Sequence, residues 1–200
     1  MISQRLKIGF LASGNGSSAR AIVAAIQAGE LAAEARLLVS NNRNAPALAY
    51  AAEQGVPALH VPTQSDPEAA DARLAEAMTA HGVQVLVLSG YLRQLGPHTL
   101  QRYEGHILNI HPGPLPQFGG HGMYGRRVHE AVIAAGVAES GIVIHLVDAE
   151  YDRGPVIARR SVPVEPGDTA ETLEARVTAL EPAFFVDTLQ RIAEGVLRLP

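Results

Sequence analysis

Asn109 and His111, in the run LNIHP at 108–112, place an amide and an imidazole two positions apart at the end of an apolar stretch. Side chains two apart on a strand point to one face, so the two groups emerge together. An amide N–H beside a proton-carrying imidazole suits stabilisation of an oxyanion and movement of a proton. A second set, Ser13-Gly14-Asn15-Gly16-Ser17-Ser18, stands between an apolar run and an alanine-rich segment of helical spacing. Small residues there let backbone approach a ligand, and the helix start beyond them offers unpaired N–H groups and partial positive charge to a phosphate. The third set is the acidic loop Asp148 to Asp152, stiffened by Gly154-Pro155. A carboxylate folded from it onto His111 favours the imidazolium and raises the ring's pKa. Each set also has a plain reading: a glycine turn with a serine cap, a core histidine bonded to a carbonyl, a solvated turn. These residues alone leave both readings open.

A rival chemistry has its own motif. Gly14, Gly16 and Ala19 fit the Gly-x-Gly-x-x-Gly/Ala pattern of dinucleotide binding, which points to an NAD-linked oxidoreductase. The second half of that signature is missing, because the next apolar run ends in Val39-Ser40-Asn41-Asn42 where an acidic residue should hold the ribose.

These groups must be positioned by the surrounding elements. Apolar runs bounded by turn signals recur at 7–13, 35–41, 58–62, 83–90 and 106–112, and read as strands. Helical spacing fills 18–28, 44–54, 66–81 and 97–103. That alternation predicts a mostly parallel α/β sheet with right-handed crossovers and helices on both faces. The unbroken run Val85-Leu86-Val87-Leu88 suits a central strand covered on both sides. Beyond Pro112 the pattern changes. A proline- and glycine-rich stretch leads to a helix near 126–136, then to two β-rich runs at 141–147 and 155–164 that predict an antiparallel β-loop-β extension. A last helix runs from Gly167-Asp168-Thr169 to about 194, with Pro182 kinking it or sitting in a break. No repeat or linker divides the chain, so residues 1–200 read as a single domain.

Composition removes several classes of function. The 200 residues contain no cysteine, hence no disulfide, thiolate nucleophile or cysteine-ligated metal. Lys7 is the only lysine, which leaves none for a P-loop. A net charge of −4 argues against nucleic acid as partner. The N-terminus lacks the pattern of a signal peptide, and no 18-residue apolar run is present, so a cytoplasmic protein away from membranes is expected. The eight histidines show no metal-binding spacing, and no Gly-x-Ser-x-Gly elbow occurs.

Taken in order, SGNGSS (13–18), LSGYLRQLGP (88–97), LNIHPGPLP (108–116), GMYG (122–125), YDRGPVI (151–157) and VPVEPGDTAETLEARV (162–177) resemble the phosphoribosylglycinamide formyltransferases over nearly the whole chain. The resemblance implies a Rossmann-like formyltransferase domain that moves a formyl group from 10-formyltetrahydrofolate to the glycine amine of a ribonucleotide. It implies a catalytic trio of Asn109, His111 and Asp152, the first two stabilising a tetrahedral intermediate while Asp152 tunes the histidine. By the same likeness Gly16, Ser17 and Ser18 cradle the phosphate, and Glu181 contacts that substrate. Leu92, Arg93, Gln94 and Leu95 form one wall of the folate pocket, and Asp148, Ala149, Glu150, Tyr151 and Asp152 the other. The implied partners are small-molecule substrates, with no metal, nucleic acid or membrane, and a homodimer is compatible. Three positions depart from the family pattern: Ser18 stands where Asn is common, Pro67 where an Arg touches the folate tail, and His121 where Lys is familiar. By length, the chain is expected to lack the second domain of methionyl-tRNA formyltransferases and the regulatory domain of the related hydrolases.

Overall fold

The computed structural model describes residues 5–200. Strands β1 (Leu6–Leu11), β2 (Ala33–Ser40), β3 (Ala58–His60), β4 (Val85–Leu88) and β5 (Ile107–His111) pair in parallel. Strands β6 (Glu139–Leu146) and β7 (Val156–Pro163) extend the sheet antiparallel, giving the order β3-β2-β1-β4-β5-β6-β7. Helices α1 (Ser17–Gln27), α2 (Pro46–Glu53), α3 (Pro67–Ala80) and α4 (Pro97–Arg102) fill the crossovers, and α5 (Arg126–Ala135) and α6 (Ala170–Ala193) follow. The chain thus has the expected α/β architecture, with its antiparallel pair near the C-terminus.

Alternation along β4 shows how the sheet is covered. Val85 and Val87 join a core with Ile22 and Val23 of α1 and Phe185 and Leu189 of α6. Leu86 and Leu88 face the other way, onto Leu74 and Met78 of α3. All four are buried, as a central strand under helices on both faces requires. A third cluster packs Val128 and Val132 of α5 against Ile142, Leu173 and Val177.

Of the two expectations for Pro182, a kink or a break, the break is not there: α6 runs as one 24-residue helix through the proline. Its start is fixed by Thr169 and Thr172, which cap each other's backbone, and by Asp168, which pairs with Arg176 at 2.7 Å. Phe185 and Leu189 beyond the proline are fully buried, so packing on the sheet holds the helix where local propensity does not. Strand order reverses direction between β1 and β4, and in open α/β sheets ligands bind outside the strand ends at such a point.

Candidate active site

Several chain segments converge at that edge, each placed by its element. Gly16 caps α1 in the left-handed region at φ 65°, and a Cβ there would also crowd Ala47, so glycine alone suits the turn. It aims the first turn of α1 outward. Ala19 N–H donates to Ser89 Oγ, and among the described residues none accepts from the N–H groups of Ser17 and Ser18. Ser13 Oγ donates to Asn41 and accepts from Leu92 N–H at 2.8 Å, tying the end of β1 to the segment after β4.

Asn109 and His111 stand at the carboxyl end of β5 and both line a cleft of about 690 Å³. Ser17, Ser18, Leu92, Arg93, Tyr151, Asp152 and Glu181 line the same cleft. A cavity of about 90 Å³ adjoins it, lined by Arg93, Gln94 and Leu95 on one side, Asp148, Ala149, Glu150, Tyr151 and Asp152 on the other, and Asn109 at its base. Gln94 crosses between those walls, donating to the Ala149 carbonyl at 3.1 Å. The structure therefore brings the expected residues to one place, with one exception: Gly16 lines neither space, and shapes the turn that leads into Ser17 and Ser18.

Asp152 is the centre of the polar network. Its Oδ2 accepts from Gly120 N–H at 2.9 Å and lies 3.6 Å from His111 Nδ1, while Oδ1 lies 3.4 Å from His145 Nε2. Burial raises its pKa, but the His145 and Gly120 contacts and the nearby imidazoles outweigh that, so the carboxyl titrates below its ordinary value. Asp152 holds φ at 57°, a left-handed backbone that Asp tolerates better than most residues.

His111 departs from expectation. It is 3% exposed, and its Nε2 donates to the Phe118 carbonyl at 2.7 Å. Burial pulls its pKa below the ordinary histidine value; Asp152 and the Phe118 carbonyl push upward without prevailing. The predicted rise is thus corrected to a fall, because desolvation of the imidazolium exceeds the attraction of one carboxylate at 3.6 Å.

Sequence reasoning missed His145. This residue is 2% exposed on β6, directly opposite Asn109 in the antiparallel register. Its Nδ1 donates to the Leu146 carbonyl at 2.8 Å, and its Nε2 stands between the Asn109 amide nitrogen at 3.2 Å and Asp152 Oδ1 at 3.4 Å, so one imidazole positions both groups. The only signal in the sequence was a histidine inside the apolar run GIVIHLV, seven positions before Asp152.

Glu181 faces the cleft from α6, and burial raises its pKa to about 7. Burial likewise pushes Tyr91, beside the smaller cavity, to about 12. Among the described residues no group of three or more His, Asp or Glu is placed to hold a metal ion.

The family described as formyl transferase matches residues 6–189. A chloroplastic phosphoribosylglycinamide formyltransferase of Vigna unguiculata is 38% identical over 96% of this chain, which spans 62% of that protein's length. The phosphoribosylglycinamide formyltransferase of Bacillus subtilis is 34% identical, over 93% of this chain and 94% of its own. Among solved structures, glycinamide ribonucleotide transformylase 1 from Symbiobacterium toebii superposes with a TM-score of 0.88 at 34% identity, covering 98% of this chain and 91% of that one.

Proposed function

The chain belongs to the formyl transferase family, and from that premise we propose that it transfers the formyl group of 10-formyltetrahydrofolate to the glycine amine of 5′-phosphoribosylglycinamide, a step of de novo purine synthesis. One observation carries this reading: a single cleft runs from the open first turn of α1 at Ser17 and Ser18 to Asn109, His111 and Asp152. A substrate with a phosphate at one end and a reacting amine at the other spans such a cleft. The adjoining cavity between Arg93–Leu95 and Asp148–Asp152 takes the pterin end of the folate, and a formyl group on that side then lies near Asn109, which lines both spaces. No helix among the described residues is long and apolar enough to cross a membrane. The proposed ligands are small molecules, and the proposed compartment is the cytoplasm.

The chemistry requires little of the nucleophile. A glycinamide amine titrates near pKa 8, so about a tenth is neutral at pH 7. Its attack on the formyl carbon places negative charge on the formyl oxygen. Asn109 offers the N–H that His145 does not take. His111 supplies a second donor when its Nε2–H turns from the Phe118 carbonyl to the developing oxyanion, a better acceptor in a site largely shielded from water. Asp152 faces Nδ1 and favours the proton there, so the imidazole can gain charge as the oxyanion forms. The proton leaving the amine passes through these groups or a water between them to the departing folate nitrogen. Glu181 contacts the ribonucleotide from the far wall.

The test is to incubate the protein with 10-formyltetrahydrofolate, with and without the ribonucleotide, and follow tetrahydrofolate. Release only in the presence of the ribonucleotide is expected. Equal release without it makes the protein a hydrolase, and no release in either arm makes it a binder. NAD should give no thermal stabilisation.

A further inference from the structure

The cleft contains a cation that the reading above leaves without a task. Resting on that reading, we propose that Arg127 grips the substrate's phosphate from the α5 side, opposite the first turn of α1, and so sets the preference for a phosphorylated ribonucleoside.

The charge balance favours this. A phosphate monoester carries about −1.5 to −2 at neutral pH. A helix N-terminus supplies about half a positive charge, and the first turn of α1 contains no basic residue: Ser17, Ser18 and Ala19 precede Arg20, which bonds back to the carbonyls of Asn15 and Pro46. A second cation is needed. Of the arginines lining the cleft, Arg93 also lines the cavity beside Asp148–Asp152 assigned to the folate, whereas Arg127 lines only the large cleft, together with Ser17, Ser18 and Glu181.

Its neighbourhood points the same way. Arg126 and Arg127 are the first two residues of α5, behind an N-cap glycine that provides no side-chain cap, and the first turn has no acidic residue. Two cations at the positive end of a helix repel it. Arg126 is compensated by Glu174 at 2.7 Å and Glu171 at 2.9 Å. Among the described residues Arg127 pairs with no carboxylate; its guanidinium lies over the Tyr124 ring, 5.2 Å from the centroid, on the glycine-rich segment at the cleft mouth. A second, independent sign comes from His129. It lines the same wall, is 1% exposed, and has an Nδ1 with no hydrogen-bond partner. Buried polar atoms in native proteins are rarely left unpaired, so this one calls for a partner that the protein alone does not supply. An uncompensated arginine, an uncapped helix start and an unpartnered imidazole on one wall form a site for an anion.

The experiment is steady-state kinetics of the full chain and of Arg127→Gln, each with 5′-phosphoribosylglycinamide and with the unphosphorylated glycinamide riboside. Arg127→Gln should raise KM for the ribonucleotide by about 10- to 100-fold, as loss of one charge-assisted hydrogen bond does. It should leave kcat within about threefold, the folate KM unchanged and the riboside kinetics untouched. Arg127→Lys should recover part of the loss, and an unchanged thermal midpoint shows that the fold is retained. If Arg127→Gln weakens the riboside as much as the ribonucleotide, or neither, the inference is overturned while the proposed function stands. A parent chain inert toward both substrates overturns the two together.

Discussion

In the proposed reaction Asn109, His111 and Asp152 carry separable tasks, and each can be tested by itself. Asn109→Ala removes an oxyanion donor and should lower kcat by about 10²–10³ with little change in either KM, measured at saturating co-substrate. Asp152→Asn keeps a side chain that tolerates the left-handed backbone at φ 57° and removes only charge. Since Asp152 pushes the His111 pKa up against burial, the variant should titrate His111 still lower, read from the imidazole proton shift by NMR. An unchanged or raised value contradicts the electrostatic role. The pairing of Asn109 with His111 was legible in the sequence because a period of two is local. His145 was not, because its place opposite Asn109 depends on a hairpin register that no spacing reveals. The direction of the His111 shift was also hidden: a carboxylate can be seen in a sequence, but the depth at which an imidazole is buried cannot.

At the scale of elements, the walls of the proposed folate pocket depend on two close fits. Asp71 of α3 accepts from His98 N–H, Thr99 N–H and the Thr99 hydroxyl, at 2.7, 3.2 and 2.6 Å, and so fixes the start of α4 just beyond Leu95. Asp71→Ala leaves those donors unpaired, the two of Thr99 buried, and should cost about 2–3 kcal/mol in urea unfolding. It should also raise the folate KM more than that of the ribonucleotide. Gly154 packs so tightly that a Cβ would overlap the Leu146 carbonyl, which is the acceptor of His145 Nδ1. Gly154→Ala should cost about 1–3 kcal/mol by overpacking and lower kcat by displacing the loop that presents Asp152. A fully active, equally stable variant contradicts that. The strand–helix alternation that builds this frame was visible because buried parallel strands and capped helices mark themselves. The continuity of α6 through Pro182 was not, since burial of Phe185 and Leu189 against the sheet overrides the local preference to break.

The whole molecule should show these buried groups in its pH dependence. The pKa values of His111 and His129 are lowered by burial, so the unfolded chain binds protons more readily and stability is lost as pH falls below about 6.5. Glu181 acts in the opposite sense: raised to about 7, it contributes stability at acid pH that is lost as pH rises between about 4.5 and 7. Glu181→Gln removes that opposing slope. Its thermal midpoint should climb more steeply than the parent's from pH 5 to 7, and at pH 8 it should be the more stable by at most about 3 kcal/mol. Parallel curves contradict the assignment. The division of one cleft into a phosphate end and a reacting end is tested most directly by kcat and the ribonucleotide KM of a folded His111→Ala protein. The expected result is a kcat lower by about 10²–10⁴ with KM within a few-fold, because the imidazole manages protons and charge while α1 and Arg127 hold the substrate. Turnover close to that of the parent, in a protein with the parent's circular dichroism, contradicts it.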